Sequence, residues 1–191
     1  MKLSKNLILG SNSPRRKEIL ESAGFDFTVM VRETDESFGS EIEIEKVPEL
    51  LAYKKASCFK EFGQETIIIC ADTVVVCDNQ ILNKPLSFNE AFEMLSNLSN
   101  KTHKVITAVS IKMGVNYTNF IDEALVHFDK LEPIEIEYYI KKHKPFDKAG
   151  AYGVQDFIGM VGISKIEGSF YTVMGLPIHK VYKFLKPFVM L

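Results

Sequence analysis

The run TIIICADTVVVC, residues 66–77, constrains the fold more than any other part of the chain. It is almost entirely apolar and rich in β-branched residues, which is typical of a strand covered on both faces of a sheet. Asp72 interrupts this run, and burial of an unpaired carboxylate costs several kcal/mol. The sequence therefore predicts a central strand whose carboxylate is held by a divalent cation or activates a water. The alternative is a bulge or a change of strand that turns Asp72 to solvent.

Strand-like and helix-like segments alternate along the chain, which predicts a mixed α/β fold. The predicted strands are residues 6–10, 25–31, 66–77, 103–113 and 117–128. The predicted helices run from Pro14 to just before Gly24, from Pro48 to about Gly63, after the capping box SFNE at 87–90, from Pro133 to Lys142, and from Pro177 onward. Because no linker composition divides the 191 residues, residues 1–191 are expected to form a single domain.

Composition excludes several classes of function. Lys and Arg total 23 against 25 for Asp and Glu, so any cationic site must be local and no nucleic-acid partner is expected. No apolar stretch approaches the length of a membrane span, so no membrane partner is expected either. Cys58, Cys70 and Cys77 are odd in number and lack CxxC spacing, which argues against a disulfide framework or a zinc site and favours a reducing cytoplasm.

The stretch LILGSNSPRR, residues 7–16, predicts a strand, a tight turn and a helix capped by Ser13 with Pro14 in its first turn. Backbone amides and the helix dipole favour an anion at such an end, and Arg15 and Arg16 add forked donors that suit phosphate. Both arginines oppose the dipole, a cost that a bound polyphosphate would offset. The alternative is an ordinary cap with solvated or paired arginines. No GxxxxGK[ST] motif is present.

Other charged residues are candidates for the same site only in combination. Asp35 and Glu36 in the acidic stretch 32–46 offer oxygen ligands, and Lys55 and Lys84 offer point charges for phosphates. Taken singly, each is more often a solvated side chain.

The four histidines show no metal-ligand spacing, and Tyr138 and Tyr139 are interpreted as packing residues.

Several ordered motifs together resemble the Maf family over nearly the whole chain. They are SNSPRR at 11–16, YKKA at 53–56, ADTVV at 71–75, NKP at 83–85, HKVITAV at 103–109, KAGAYGVQ at 148–155 and IEGSFYTVMGLP at 166–177. This resemblance implies a long twisted mixed sheet with flanking helices that form two lobes around a cleft, as in the inosine-triphosphate pyrophosphatases. It also implies cleavage of a nucleoside triphosphate to a monophosphate and pyrophosphate with a divalent cation, Mg²⁺ or Mn²⁺, and suggests a homodimer.

The resemblance also assigns roles by position. Asp72 matches the proton acceptor, and Glu36, Lys55 and Lys84 complete the implied catalytic set, with Asp72 and Glu36 as metal ligands. The implied substrate-binding residues are Ser11, Ser13, Arg15, Arg16, Thr73 and Gln155, of which Arg15, Thr73 and Gln155 match positions tied to base selectivity.

The motifs SPRR and ADT resemble the branch of the family that acts on dTTP and UTP. Gln155 fits this branch, because its amide offers a donor and an acceptor to a thymine or uracil edge. Two positions depart from the family's pattern: Asp156 stands where glycine is more usual, and Thr172 replaces a common asparagine or alanine-like residue. Either departure can shift the substrate range.

Two other classes of function are compatible with the residues. One is a nucleotide-binding regulatory module that acts on cell division through a protein partner. The other is a sugar-phosphate or nucleotidyl transferase, which would release pyrophosphate only with an acceptor present. Asp72 favours the hydrolase, because a pure binder gains little from an acid beside a polyphosphate unless a metal lies between them.

Overall fold

The apolar run around Asp72 forms one continuous strand, β3 (Thr66–Cys77), in the computed structural model, which describes residues 1–190. Every position of β3 is buried except Asp72 and Thr73, which are half-buried. The predicted central strand is therefore confirmed, and it continues through Asp72 instead of ending there.

The strands of the described chain form one mixed sheet. Besides β3 they are β1 (Asn6–Leu9), β2 (Thr28–Val29), β4 (Gln80–Leu82), β5 (Thr102–Met113), β6 (Asn116–Phe128) and β7 (Ile163–Glu167). Their order is β2-β1-β3-β5-β6-β7, and β4 pairs with β3 beside this path. β1 is parallel to both neighbours, whereas β4 and β7 run antiparallel to β3 and β6. The predicted mixed α/β class is confirmed.

The helices occupy the segments between the strands and after the last of them. They are α1 (Pro14–Ser22), α2 (Val47–Ser57), α3 (Phe88–Leu98), α4 (Pro133–His143), α5 (Phe157–Gly162), α6 (Phe170–Met174) and α7 (Ile178–Leu185). Short 3₁₀ turns lie at Ile44–Lys46, Ala149–Ala151 and Lys186–Phe188. None of the helices within residues 1–190 is long and apolar enough to cross a membrane.

Local capping explains why the best-predicted helices begin where they do. Ser87 Oγ accepts a hydrogen bond of 3.2 Å from the Glu90 backbone N–H, as the SFNE motif predicts. At α4 the Glu132 and Glu135 side chains form a reciprocal capping box. α1 ends at Ser22, and Gly24 lies just past its end as predicted, with a φ of +78° that suits a residue without a side chain.

Two element boundaries differ from the sequence predictions. The predicted strand 25–31 reduces to β2, because the Phe25 N–H bonds to Leu20 O and completes the end of α1 instead of joining the sheet. The helix expected to reach Gly63 stops at Ser57, where the Phe59 N–H bonds back to Ala56 O and the Phe59 ring enters the core. Tertiary packing decides both boundaries.

The chain forms two compact units by its internal contacts. The first contains residues 1–72, 107–122 and the chain from Gly175 onward, and the second contains residues 73–106 and 123–174. The core of the first unit includes a buried cluster of Ile8, Ala56, Phe59, Ile68 and Cys70. The expectation of a single domain stays a prediction.

Candidate active site

The turn between β1 and α1 is shaped by close packing under its first residue. The Gly10 N–H donates to Ile69 O at 2.8 Å, which extends the pairing of β1 with β3. A Cβ at Gly10 would collide with Cys70 Sγ and come within 3.1 Å of the Phe59 ring. Glycine is therefore required for the chain to leave the sheet here and turn into α1.

The N-terminus of α1 has the features of an anion site. Ser13 occupies the N-cap position and Pro14 begins the helix, but the Ser13 hydroxyl makes no capping hydrogen bond, so that part of the sequence prediction is wrong. No acidic residue lies in the first turn to balance the helix dipole. Ser13, Arg15 and Arg16 are all half-buried here, close to the helix end.

Arg16 is held in a fixed position by two neutral acceptors. Its Nε donates to Gly175 O at 2.8 Å, and Nη1 donates to Ser11 Oγ at 3.2 Å. Ser11 is buried and also accepts the Ser13 backbone N–H at 3.2 Å. The guanidinium is thereby tied to the turn that carries both serines. Sequence reasoning missed Gly175, because it lies 159 residues from Arg16 along the chain.

Lys55 joins two carboxylates from different parts of the first unit. Its Nζ lies 2.6 Å from Asp72 Oδ1 on β3 and 2.9 Å from Glu36 Oε1 in the loop before α2. The side chains of Lys55 and Asp72 are 18% and 13% exposed, whereas Glu36 is 57% exposed. The Lys55 ammonium thus balances the half-buried Asp72 carboxylate, and the divalent cation or activated water expected there stays a prediction.

The two adjacent acids of the loop have different environments. The Asp35 carboxylate accepts the Ser37 backbone N–H at 2.9 Å and the Ser37 hydroxyl at 2.8 Å, which closes a local turn and lowers its pKa. Lys54 Nζ donates to Ser37 O at 2.7 Å and anchors this turn on α2. Asp35 therefore shapes the loop, whereas Glu36 faces Lys55.

Arg16 lies within the electrostatic field of the same carboxylates. Burial lowers the pKa of Arg16, while the negative charges of Asp72 and Glu36 act in the opposite direction. An arginine remains protonated under these conditions. The first unit thus places two cations, Arg16 and Lys55, around Asp72 and Glu36.

The carboxylates of the first unit fit part of the donor set of a magnesium-type cation. Mg²⁺ typically uses one or two protein carboxylates and completes its octahedron with substrate phosphates and water. Asp72 and Glu36 supply two such carboxylates at one ammonium group. Among the described residues no group of three or more His, Cys, Asp or Glu side chains could hold a metal by itself. Phosphate oxygens would therefore have to complete the coordination.

The remaining predicted site residues lie in the second unit. Thr73 follows Asp72 on β3 and is half-buried. Lys84 is exposed in the loop after β4, and the preceding carbonyl of Asn83 accepts the Gly150 N–H at 3.2 Å. Gln155 lies near the start of α5, and its Oε1 is buried without a hydrogen-bond partner among the described residues. This acceptor is available to a donor on a ligand.

The two tyrosines of α4 differ in their surroundings. Tyr139 is fully buried, as a packing residue should be, and its hydroxyl also bonds to Asp156 and Gly153. Tyr138 lies nearer the surface and packs edge-on against the Phe157 ring at a centroid distance of 5.0 Å, so the packing interpretation is confirmed for both tyrosines. No local pattern in the sequence predicts these hydrogen bonds of Tyr139, because Gly153 and Asp156 lie outside α4.

The chain matches known proteins over nearly its whole length. The family model described as Maf-like protein matches residues 6–188. A protein of Cytophaga hutchinsonii named dTTP/UTP pyrophosphatase is 46% identical over 176 residues, which cover 92% of this chain and 81% of the relative. Proteins of the same name from Bacteroides thetaiotaomicron and Flavobacterium johnsoniae are 43% and 39% identical, covering 94% and 98% of both chains, respectively. The chain belongs to the Maf family.

Proposed function

We propose that this protein is a nucleoside triphosphate pyrophosphatase that hydrolyses the α–β phosphoanhydride of dTTP and UTP, giving the nucleoside monophosphate and pyrophosphate. The observation that carries the proposal is the contact of Lys55 with both Asp72 and Glu36, whose charges also act on Arg16 in the first turn of α1. The printed names of the relatives supply the substrate class.

The first unit offers the groups needed to bind the phosphates. The N-terminus of α1 with Ser11 and Ser13 provides hydroxyl and dipole interactions, and Arg16 provides a guanidinium already fixed by Gly175 O. Such fixed donors lose little conformational entropy when the polyphosphate binds.

Asp72 accepts a proton from the attacking water in the proposed reaction. The water oxygen forms a bond to the α-phosphorus as the bond from that phosphorus to the α–β bridging oxygen breaks, and pyrophosphate leaves with the electron pair. Lys55, Lys84 and Arg16 stabilise the charge that develops on the leaving group. No covalent intermediate with the protein is required.

Asp72 and Glu36 would hold the divalent cation, Mg²⁺ or Mn²⁺, together with phosphate oxygens. When bound, the cation neutralises charge on the triphosphate and so lowers the barrier to attack by water. Lys55 keeps both carboxylates oriented toward a common point.

Gln155 supplies the base contact, with Arg15 and Thr73 as the other selectivity residues. Its buried Oε1 accepts the N3–H of uracil or thymine, and its amide nitrogen donates to a neighbouring base carbonyl.

We also place the protein in the cytoplasm, since Cys58, Cys70 and Cys77 are free thiols, which a reducing compartment preserves.

The test is a panel of nucleoside triphosphates incubated with Mg²⁺ or Mn²⁺ and with a chelator, with monophosphate and pyrophosphate both quantified. We expect metal-dependent release of both products from dTTP and UTP. Asp72→Asn should lower kcat by about 10²- to 10⁴-fold, the usual contribution of a general base. Asp78→Asn is the matched control, because Asp78 follows the same strand but pairs with Lys101 at the surface.

A folded protein that hydrolyses none of these nucleotides with either metal would overturn the proposal and favour a regulatory binding module. Pyrophosphate release only after addition of an acceptor would instead indicate a transferase. Full activity in a folded Asp72→Asn variant would remove the proposed role of Asp72.

A further inference from the structure

Gln155 belongs to a tight turn whose two ends are joined. The Asp156 N–H donates to Gly153 O at 3.0 Å, so residues 153–156 form a hydrogen-bonded turn with Gln155 as its third residue. The direction of the Gln155 side chain therefore depends on how Gly153 and Asp156 are held.

One buried hydroxyl holds both ends of this turn. Tyr139 Oη accepts the Gly153 backbone N–H at 3.0 Å and donates to Asp156 Oδ2 at 2.8 Å. The Tyr139 ring is fully buried on α4 and stacks on His143 at a centroid distance of 5.1 Å. Because the ring is packed on all sides, its hydroxyl holds the turn at a defined position.

The Asp156 carboxylate fits against the turn and is partly balanced by a lysine. A Cβ at Gly153 would lie 2.5 Å from Asp156 Oδ2, so only glycine admits the carboxylate in this position. Lys148 Nζ lies 3.7 Å from the same oxygen. Burial, and then the Asp156 charge, raise the pKa of Tyr139, which keeps its hydroxyl protonated as a donor.

The orientation of the Gln155 amide decides which pyrimidine it can bind. With Oε1 facing the ligand, the amide accepts the N3–H of uracil or thymine. A rotation of 180° about the last side-chain bond presents the NH₂ group there, which suits the N3 acceptor of cytosine. Gln155 Oε1 is buried and receives no hydrogen bond within residues 1–190, so its position depends on the backbone of the turn that carries it.

We propose that Tyr139 is a positioning residue for substrate selectivity: by joining Gly153 and Asp156 it fixes the backbone from which the Gln155 side chain reaches the base, so that uracil and thymine are bound in preference to cytosine. The inference rests on the proposed function, in which Gln155 contacts the base. It assigns Asp156, the departure from the family's usual glycine, to the same arrangement.

The test compares the wild type, Tyr139→Phe and Tyr138→Phe, with kcat and KM measured separately for UTP and CTP. We expect the ratio of kcat/KM for UTP to that for CTP to fall about tenfold in Tyr139→Phe, the size of one lost hydrogen bond to a charged group. The change should come mainly from KM. Tyr138→Phe is the control, because the Tyr138 hydroxyl accepts from Lys142 at the surface, and its ratio should equal that of the wild type.

Asp156 provides an independent pair of variants if Tyr139→Phe does not fold. Asp156→Asn keeps an oxygen that can accept from the Tyr139 hydroxyl and should retain the selectivity, whereas Asp156→Ala should lose it. An unchanged ratio in folded Tyr139→Phe or Asp156→Ala, or an equal loss of kcat for both nucleotides, would overturn the inference while leaving the pyrophosphatase proposal intact. A wild type that hydrolyses neither nucleotide would overturn both.

Discussion

Lys55 Nζ lies 2.6 Å from Asp72 Oδ1, although the two residues belong to different elements, α2 and the central strand β3. The same ammonium contacts Glu36 at 2.9 Å. One lysine thus fixes the relative positions of two carboxylates that are proposed to share a cation. Its removal would leave two negative charges facing each other in a partly buried site.

Replacement Lys55→Met keeps the length of the side chain and removes its charge. We expect kcat to fall by about 10²-fold, because Asp72 loses its orientation and the leaving pyrophosphate loses a cation. Steady-state hydrolysis of UTP measures the effect. Lys46→Met is the control, since Lys46 pairs with Glu43 at the surface, and its kcat should stay within about threefold of the wild type. Equal losses in both variants would contradict a specific role for Lys55.

Arg16→Lys should raise KM for the nucleotide by about tenfold. A lysine ammonium cannot reproduce the forked geometry by which Arg16 bonds Gly175 O and Ser11 Oγ, and each charge-assisted hydrogen bond contributes about 1.5–3 kcal/mol. Lys17→Ala, in the same turn, removes only an exposed pair with Glu21 and should leave KM unchanged. Initial rates at varied nucleotide concentration give the KM of both variants. An unaltered KM in Arg16→Lys would contradict the prediction.

Gly10→Ala should destabilise the protein by about 1–3 kcal/mol, because the new methyl group collides with Cys70 Sγ. In the double variant with Cys70→Ala the sulfur is absent, so the combined loss should be smaller than the sum of the single losses by about 1 kcal/mol. Urea unfolding of the four proteins in this cycle measures the coupling. Strict additivity would show that the sulfur does not determine the need for glycine.

Stability should depend on pH through His103. Burial lowers the pKa of His103 from 6.5 to about 4, where its ring bonds to the Tyr152 hydroxyl at 2.7 Å. The unfolded chain therefore takes up this proton more readily than the folded one. The resulting stability is fully present above pH 6.5 and is lost as the pH falls toward about 4, by up to about 3 kcal/mol.

The measurement is urea unfolding of wild type and His103→Asn at several pH values between 7.5 and 4. The free energy of unfolding should fall more steeply for the wild type, since the carboxylates common to both proteins cancel in the comparison. If the free energy of unfolding falls equally with pH in both proteins, His103 does not cause the pH dependence.

The sequence alone identified the elements whose signals are local. The apolar run 66–77 forms β3, and Ser87 caps α3. Pro14 begins α1, and Gly24 lies just past its end. Each of these signals acts over a few residues through strand packing, a restricted φ angle or one hydrogen bond. Ordered motifs over the chain also pointed correctly to the Maf family.

Local signals failed where a distant contact competed with them. Phe25 looked like the start of a strand, but its backbone N–H bonds to Leu20 O and leaves only Thr28–Val29 in the sheet. Asp35 and Glu36 are neighbouring acids that local pattern does not distinguish, and only the family resemblance assigned Glu36 to the site. Only the folded loop shows that Ser37 binds the first and Lys55 the second.

The sequence by itself therefore determined the fold class and the residue types of the candidate site, because hydrophobic periodicity and charge can be identified within short segments of the chain. The tertiary structure decided which charges meet: Lys55 with Asp72, Arg16 with Gly175 O across 159 residues, and Tyr139 with the turn before Asp156. Distances across so many residues depend on the packing of whole elements, which no local pattern encodes.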